Sequence, residues 1–442
     1  MSYKKLRRLP LAAAALLACM SAQADYTSPD GKFRMSGFGT IGYSRASTDD
    51  VYFNYKGQGG GSKKSGSLNP DSKIAVQGTY KITDTVSGTG QIMAKYDADG
   101  DYIPTFEWAF VKWQAMPSLS FRAGRMGAPF FMISDFRDVG YANTTVRPPL
   151  DVYAQVPVSN FEGVDATHQL SLGSVTLTSS ALYGEANADY ANALFSDGSP
   201  ATPAQIKLKG LTGLNFLAEL DNGLMLRLGH VRGKLTISSA SSNTIKAGLA
   251  PVIAGTAGPI NAFFPTAASD AAALAATVTQ ADTDASFTGV GLSYDQNNIV
   301  VAAEYTKRRI DGGYVSDTTG WYTTIGYRFG AWLPYLGYGK VKVDDPNATV
   351  PAVNSPLTTA VNGVQATLNT QKVSQKTATV GVRWDAKPGL AIKAQYDHIS
   401  KPVDSYGMFL AADPLRDVAT GSTFLNAKKS INVVTLSVDF VF

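Results

Sequence analysis

The final eleven residues, NVVTLSVDFVF at positions 432–442, alternate strictly in polarity. Val434, Leu436, Val438, Phe440 and Phe442 fall on one side of an extended chain, and Thr435, Ser437 and Asp439 on the other. A strand of this length, apolar on one face only, matches what crosses a bilayer, which takes about 9–11 residues when tilted. A half-exposed strand in a soluble sandwich accepts the same alternation but gives no reason for Phe at the last position. The pattern predicts an all-β chain, and a transmembrane antiparallel β-barrel ahead of a sandwich.

The other end carries an export pattern. Lys4, Lys5, Arg7 and Arg8 make a basic stretch, residues 9–18 an apolar one too short to span a bilayer, and Ala22-Gln23-Ala24 a small-residue cleavage site. Residues 1–24 are therefore expected to be a signal peptide for the Sec pathway, leaving 25–442 as a single domain that begins at Asp25. Leu16-Leu17-Ala18-Cys19 offers a competing lipid-attachment site at Cys19, but Leu17 fits it poorly and a better cleavage site follows.

Cleavage changes what charge can argue. Of 39 Lys and Arg, four leave with the export segment, and 39 − 4 = 35 equals the 35 Asp and Glu. A basic balance confined to the precursor supports no nucleic-acid partner. Cys19 leaves as well, taking with it any thiol, disulfide or Cys-based metal site. No stretch approaches the ~20 apolar residues of a membrane helix. Export without a helical span leaves a secreted or periplasmic β protein, or an outer-membrane barrel.

Spacing favours the barrel. Period-two alternation marks about sixteen segments, the first at 32–45 and the last at 430–442. Tight connections at 83–85, 115–118, 173–174, 222–223, 296–298, 330–331 and 386–389 alternate with long ones at 46–70, 98–104, 126–163, 185–209, 238–285, 311–318, 344–372 and 402–429. Short ends and long ends imply two sides that face different environments. An Ala-rich run at 262–281 within one long connection has the composition for a short helix. Tyr80, Tyr96, Trp108, Phe110, Tyr294, Trp321, Tyr327, Tyr335, Trp384 and Tyr396 sit where interfacial girdles need aromatics.

If the apolar faces meet lipid, the opposite faces line a pore. That inward set holds Arg34, Lys73, Lys81, Lys95, Arg227, Arg308, Arg328, Lys340, Lys342, Arg383 and Lys393 against Glu107, Glu219, Glu304, Asp397 and Asp439. Arg122 or Arg125 joins them, according to a register that Gly124 leaves open. A basic wall in a confined pore predicts a mild anion preference.

The connection at 126–163 differs from its neighbours. Phe130, Phe131, Met132, Ile133 and Phe136 in one run suit a loop that packs against something. This stretch, GRMGAPFFMISDFRDVGYANTTVRPPLDVY, together with SGFGTIGYSR at 36–45 and the terminal strand, resembles Gram-negative outer-membrane porins of the general-diffusion type. The resemblance implies a trimeric barrel of sixteen strands in the outer membrane among lipid and lipopolysaccharide. It also implies recognition of the Phe442 strand by the barrel-assembly machinery, and a third external loop folded into the lumen as an eyelet. Asp135, Arg137, Asp138, Arg147, Asp151 and Glu162 are then the constriction candidates, facing wall residues Lys95, Arg122, Arg125 and Arg383. Pro148-Pro149 keeps Arg147 extended, so its side chain is expected to project, although each of these charges serves equally well as a pin to the wall.

Catalysis finds little support. His168, His230 and His398 are scattered and sit in no zinc or general-base pattern, although His230 shares a face with Leu224, Leu226 and Leu228. The sequence thus reads as a porin passing small hydrophilic solutes, with no cofactor or metal. A phosphate-, dicarboxylate- or sugar-specific channel is the nearest alternative, and a receptor or adhesin-like barrel with a blocked lumen the more distant one.

Overall fold

The computed structural model describes residues 26–442 apart from 56, 192–201 and 423, so the export segment and Cys19 lie outside the described residues. Sixteen antiparallel strands close into one barrel, joined at one edge by the two-residue strand Tyr26–Thr27. The first eight are β1 (Phe33–Ala46), β2 (Lys73–Lys81), β3 (Val86–Lys95), β4 (Thr105–Met116), β5 (Leu119–Gly127), β6 (Asn160–Leu172), β7 (Val175–Tyr190) and β8 (Ala204–Leu220). The second eight are β9 (Leu224–Ser238), β10 (Gln280–Gln296), β11 (Ile299–Asp311), β12 (Asp317–Tyr327), β13 (Trp332–Asp345), β14 (Gln375–Lys387), β15 (Leu390–Lys401) and β16 (Lys429–Val441).

Tight turns close one end of the barrel. Gly173 and Gly223 with positive φ, and Asn297-Asn298 with φ of 53° and 66°, supply the left-handed conformations that two- and three-residue hairpins require. The opposite end carries the long loops L1 (47–72), L2 (96–104), L3 (128–159), L4 (191–203), L5 (239–279), L6 (312–316), L7 (346–374) and L8 (402–428). L5 holds α2 (Ala240–Ile253), α3 (Pro259–Phe263) and α4 (Ala267–Thr277), the last within the Ala-rich run, after α1 (Leu150–Tyr153) in L3. L7 holds α5 (Thr358–Asn369) and L8 holds α6 (Pro414–Thr420). Leu249, Leu274 and Val364 from α2, α4 and α5 join the main apolar core, so the loops pack over the mouth rather than extend into solvent.

The barrel closes where β16 pairs with β1, from Val433 opposite Ala46 to Val441 opposite Phe38. At this seam the ring of Phe440 lies over Gly39, where an added Cβ would come 2.5 Å from its Cζ, and the ring of Phe442 lies over Gly37 in the same way. The two rings stack 6.2 Å apart. The glycines of SGFGTIGYSR therefore make notches for the terminal aromatics; Phe440 is buried there and Phe442 is half-buried.

Four strands run further from the turns than the alternation suggested: β6 begins at Asn160, β7 ends at Tyr190, β8 begins at Ala204, and β10 starts at Gln280. The reason is a change of phase. Near the turns the apolar residues point out, as with Leu214, Phe216, Leu226, Leu228 and Leu336, all exposed on the barrel's outer face. Nearer the loops the same strands turn apolar side chains inward, and Ile206, Leu208, Val231, Leu235, Ile310 and Val341 are buried beneath the loops. The outer face there carries Lys207, Lys209, Arg232 and Lys234. A wall that rises above the bilayer meets water outside and packed protein inside, which inverts the pattern.

This inversion corrects two wall assignments. Lys340 and Lys342 flank the buried Val341 on β13, and Lys340 stands opposite Trp321, so both lysines face outward. It also redistributes the aromatics. Tyr80, Trp321, Tyr327, Trp384 and Tyr396 lie on the outer face, with Trp332 and Trp384 stacked at 5.3 Å. Tyr335 turns inward, its hydroxyl donating to Gln395 at 3.0 Å.

Candidate pore constriction

L3, residues 128–159, leaves β5 and crosses the lumen before returning to β6. A buried loop has carbonyls that need donors, and the wall supplies them. Arg227 of β9 donates to the carbonyls of Pro129 and Phe130 at 2.5 and 3.3 Å. Arg308 of β11 donates to Gln155 at 2.6 Å, and Arg383 of β14 to Tyr141 and Asn143 at 2.7 and 3.0 Å. Lys393 of β15 donates to Gly140, Asn143 and Thr145 at 2.7, 2.6 and 3.0 Å, and pairs with Asp439 at 3.0 Å. Four cations that the alternation placed on the wall are thus spent on holding the loop.

Apolar packing holds the same edge. Phe131 and Tyr153 lie with ring centroids 4.6 Å apart, and Phe131 meets Phe287 of β10 edge-on. Burying each such side chain contributes about 1.5–3 kcal/mol. The Tyr153 hydroxyl donates to Glu304 at 2.8 Å, and the Met132 amide donates to the same carboxylate at 2.9 Å. α1 docks on glycines of the wall: a Cβ at Gly339 would lie 2.8 Å from the Asp151 carboxylate, and one at Gly320 would meet the Asp151 carbonyl.

The charges of L3 divide into three groups. Arg147 does not project; it is 5% exposed. Its Nε and Nη2 each bond Asp71 at 2.7 Å, its Nη1 reaches Asp397 at 3.3 Å, and its guanidinium lies 4.9 Å from the centre of the Phe53 ring. Asp151 is 1% exposed and accepts from Gln375 at 3.3 Å with no cation beside it among the described residues. Burial pushes its carboxyl up to about 7, against hydrogen bonds from Thr377 and Gln375 that pull it down. Both residues anchor the loop.

Arg137 and Asp138 form the second group. Asp138 meets Lys73 at 3.0 Å, Arg137 at 3.6 Å and Lys95 at 3.7 Å, while Lys95 also meets Glu107 at 2.7 Å. Burial alone would raise the Asp138 carboxyl, but Lys95, Lys73 and Arg137 hold it well below the usual carboxylate range.

Asp135, Phe136 and Ala142 are the exposed residues of L3. Protein crowded around the lumen desolvates the Asp135 carboxyl and raises it, with the Arg122 charge acting the other way. On the facing wall, Arg122 grips Asp165 with Nε bonds of 3.0 Å to both oxygens and a 2.5 Å bond from Nη2. Lys112 of β4 pairs with Arg122 across the ladder and so shares its inward face.

Arg125 and Glu162 are not in the lumen. The β5–β6 register pairs Arg122 with Asp165 and Arg125 with Glu162, three residues on, which places the second pair on the opposite face. They meet at 3.5 Å outside the barrel, beside exposed Val164 and Tyr183. Glu162 belongs to β6 rather than to the loop, because strand pairing continues past Gly163.

Asp71, Asp165 and Lys112 were missed by sequence reasoning. Asp165 shares inward parity with Phe161 on a strand whose start was misplaced; a correct register for Arg122 would have found it. Asp71 sits at the end of L1, next to Gly42, whose missing side chain leaves it room: an added Cβ would lie 2.5 Å from the Asp71 Cβ.

No protein-family model and no curated protein matches this chain. Among solved structures it is similar to OmpF of Salmonella typhi in complex with daunomycin, at 12% identity and a TM-score of 0.52, over 95% of this chain and 100% of that one. It is also similar to the outer-membrane protein OmpT of Vibrio cholerae, at 11% identity and a TM-score of 0.50, again over 95% and 100%. The chain has the fold of the outer-membrane porins: a closed sixteen-stranded antiparallel barrel. Identities this low establish fold and no more.

Proposed function

We propose that this protein is a Gram-negative outer-membrane porin of the general-diffusion type, passing small hydrophilic solutes and ions down their gradients without covalent chemistry. The observation that carries the reading is the seating of L3 along the inner wall. The loop is bonded to β9, β11, β14 and β15, and Asp138 ties it to Lys73 of β2 and Lys95 of β3, while its remaining exposed charge, Asp135, lies in the field of Arg122. A loop pinned to the wall in this way narrows the lumen.

Around that gap stand Lys73, Lys95, Lys112, Arg122 and Arg137 against Glu107, Asp135, Asp138 and Asp165. The excess of one cation supports a mild anion preference, weaker than a free basic wall would give, since Arg227, Arg308, Arg383 and Lys393 are turned to the loop. Export through the Sec pathway with loss of residues 1–24, assembly through the Phe442 strand and contact with lipopolysaccharide complete the proposal. A trimer is supported by the low wall at β2 to β5, of 9 to 12 residues each, with exposed Ile92, Phe106, Val111, Trp113 and Phe121 on its outer face. Single-channel recording of the refolded protein in a planar bilayer under a KCl gradient tests it. Steps in groups of three with a reversal potential toward chloride are expected, and a folded barrel that does not conduct would replace this reading with a receptor-type barrel.

A further inference from the structure

Away from the charged gap, on the far side of L3, two apolar clefts meet at one side chain. The first, a cavity of about 90 Å³, lies between residues 155–158 of L3 and the inner wall, where Ile206, Leu208, Val231, Leu235 and Phe287 line it. The second, of about 60 Å³, is bounded by Ala154, Tyr190, Ile237, Tyr314, Val373 and Met408 beneath L7 and L8. Arg308 lines both.

Arg308 is unlike the other buried cations that hold L3. Arg227 has Glu304, Arg383 has Asp385, Lys393 has Asp439 and Arg147 has Asp71 and Asp397. Arg308 has no carboxylate within ion-pair distance among the described residues. Its nearest acid, Asp317, is taken by Arg309 at 3.2 Å and by the Ile310 amide at 2.8 Å. Two of its five N–H donors bond the carbonyls of Gln155 and Ser316, at 2.6 and 2.7 Å, which fixes the guanidinium in place. Its Nε is buried and has no partner. An orphaned charged donor of this kind is costly to bury, and an anion is what relieves it.

We propose that these clefts form a binding site for a small amphipathic monocarboxylate, an aryl- or alkyl-carboxylate whose acid group pairs with Arg308 and whose apolar body lies against Ile206, Leu208, Val231 and Phe287. Neither partner of the chemistry is sufficient alone: the walls give no reason to hold a hydrophilic anion, and the guanidinium gives none to hold a hydrocarbon. The site is separate from the gap between Asp135 and Arg122, so it stands whether or not the barrel conducts.

Calorimetric titration of the full-length folded protein, held in amphipol to avoid micelles, with 4-phenylbutyrate tests the proposal. Two control ligands take it apart: 4-phenylbutanol keeps the body and loses the charge, and butyrate keeps the charge and loses most of the body. Binding of 4-phenylbutyrate at least about tenfold tighter than either control is expected, from one charge-assisted pairing joined to apolar burial. Arg308→Met should abolish that difference, but it also releases the Gln155 carbonyl and so disturbs L3. Val231→Phe fills the first cleft while leaving every hydrogen bond of Arg308 in place, and should weaken 4-phenylbutyrate binding with the heat-modified gel mobility unchanged. Equal binding of the acid and the alcohol would mean an apolar void only, equal binding of butyrate a bare anion site, and undiminished binding by Val231→Phe a different location. Any of these, or no heat at all, overturns the proposal.

Discussion

Arg147 of L3 and Asp71 of L1 bond side-on, Nε to Oδ1 and Nη2 to Oδ2, each at 2.7 Å, with Asp397 of β15 closing the third side at 3.3 Å. Two loops and the wall are tied at one guanidinium that water barely reaches. Removing it by Arg147→Met leaves two buried carboxylates unpaired, a change that costs about 3–5 kcal/mol. L3 should then leave the wall, so single-channel records should show larger and noisier conductance, with the barrel still migrating as a folded band. The double variant Arg147→Met with Asp71→Asn should recover part of the loss; equal effects for the single and double variants would show that the pairing does not hold the loop.

Asp151 gives L3 a pH dependence whose sign is fixed. Burial raises its carboxyl to about 7, above the ordinary carboxylate value. The native state therefore binds more protons than the unfolded one between those two values, and stability contributed at this site falls as pH rises through that window. L3 docking should be firmest at acidic pH and loosest above about 7. Open-channel noise recorded between pH 5 and pH 8 should increase for the native protein and stay flat for Asp151→Asn, which keeps the neutral shape. A flat native profile would place the proton elsewhere.

The strand periodicity, the alternation of short and long connections and the packing character of residues 126–163 were legible because each follows from a local pattern set against one environment, whereas the place of that loop in the lumen came from the resemblance. What was not legible required two environments at once. Lys340 and Lys342 looked like pore residues because the apolar members of β13 were counted on one face, whereas Leu336 and Tyr338 meet the outside and Val341 meets packed loop. Arg125 and Glu162 went astray through a boundary: with Glu162 in a loop, its partner across the ladder is invisible, and with it in β6 both residues turn outward. Arg147 and Asp151 were named as charges at the lumen, and the alternative use of a charge, pinning a buried loop, is what the geometry selects. Sequence gives the valence of such a residue and not its partner, since Asp71 and Asp397 lie 76 and 250 positions away.

The closing seam predicts an assembly defect. Gly39 carries the ring of Phe440, which is 1% exposed. Gly39→Val inserts a Cβ and two methyl groups where the ring already lies, and overpacking of this kind costs about 1–3 kcal/mol, more where backbone cannot shift. The heat-modifiable folded band should decline on refolding, and Phe440→Leu in the same chain should restore part of it. Normal refolding of Gly39→Val would show that the terminal aromatics do not depend on the notch.

Selectivity separates the two faces of the barrel. Lys112 and Arg122 look into the gap that Asp135 faces, while Lys342 stands on the outer surface of β13 with Asp344 3.9 Å away. Reversing the charge with Lys112→Glu should move the reversal potential in a KCl gradient toward cations, and Asp135→Asn should move it toward chloride. Lys342→Glu, an identical change in net charge, should leave it in place, because a charge outside the wall is screened by electrolyte within about 10 Å at 0.1 M salt. Equal shifts from Lys112→Glu and Lys342→Glu would mean that selectivity follows the total charge of the protein and owes nothing to the passage beside L3.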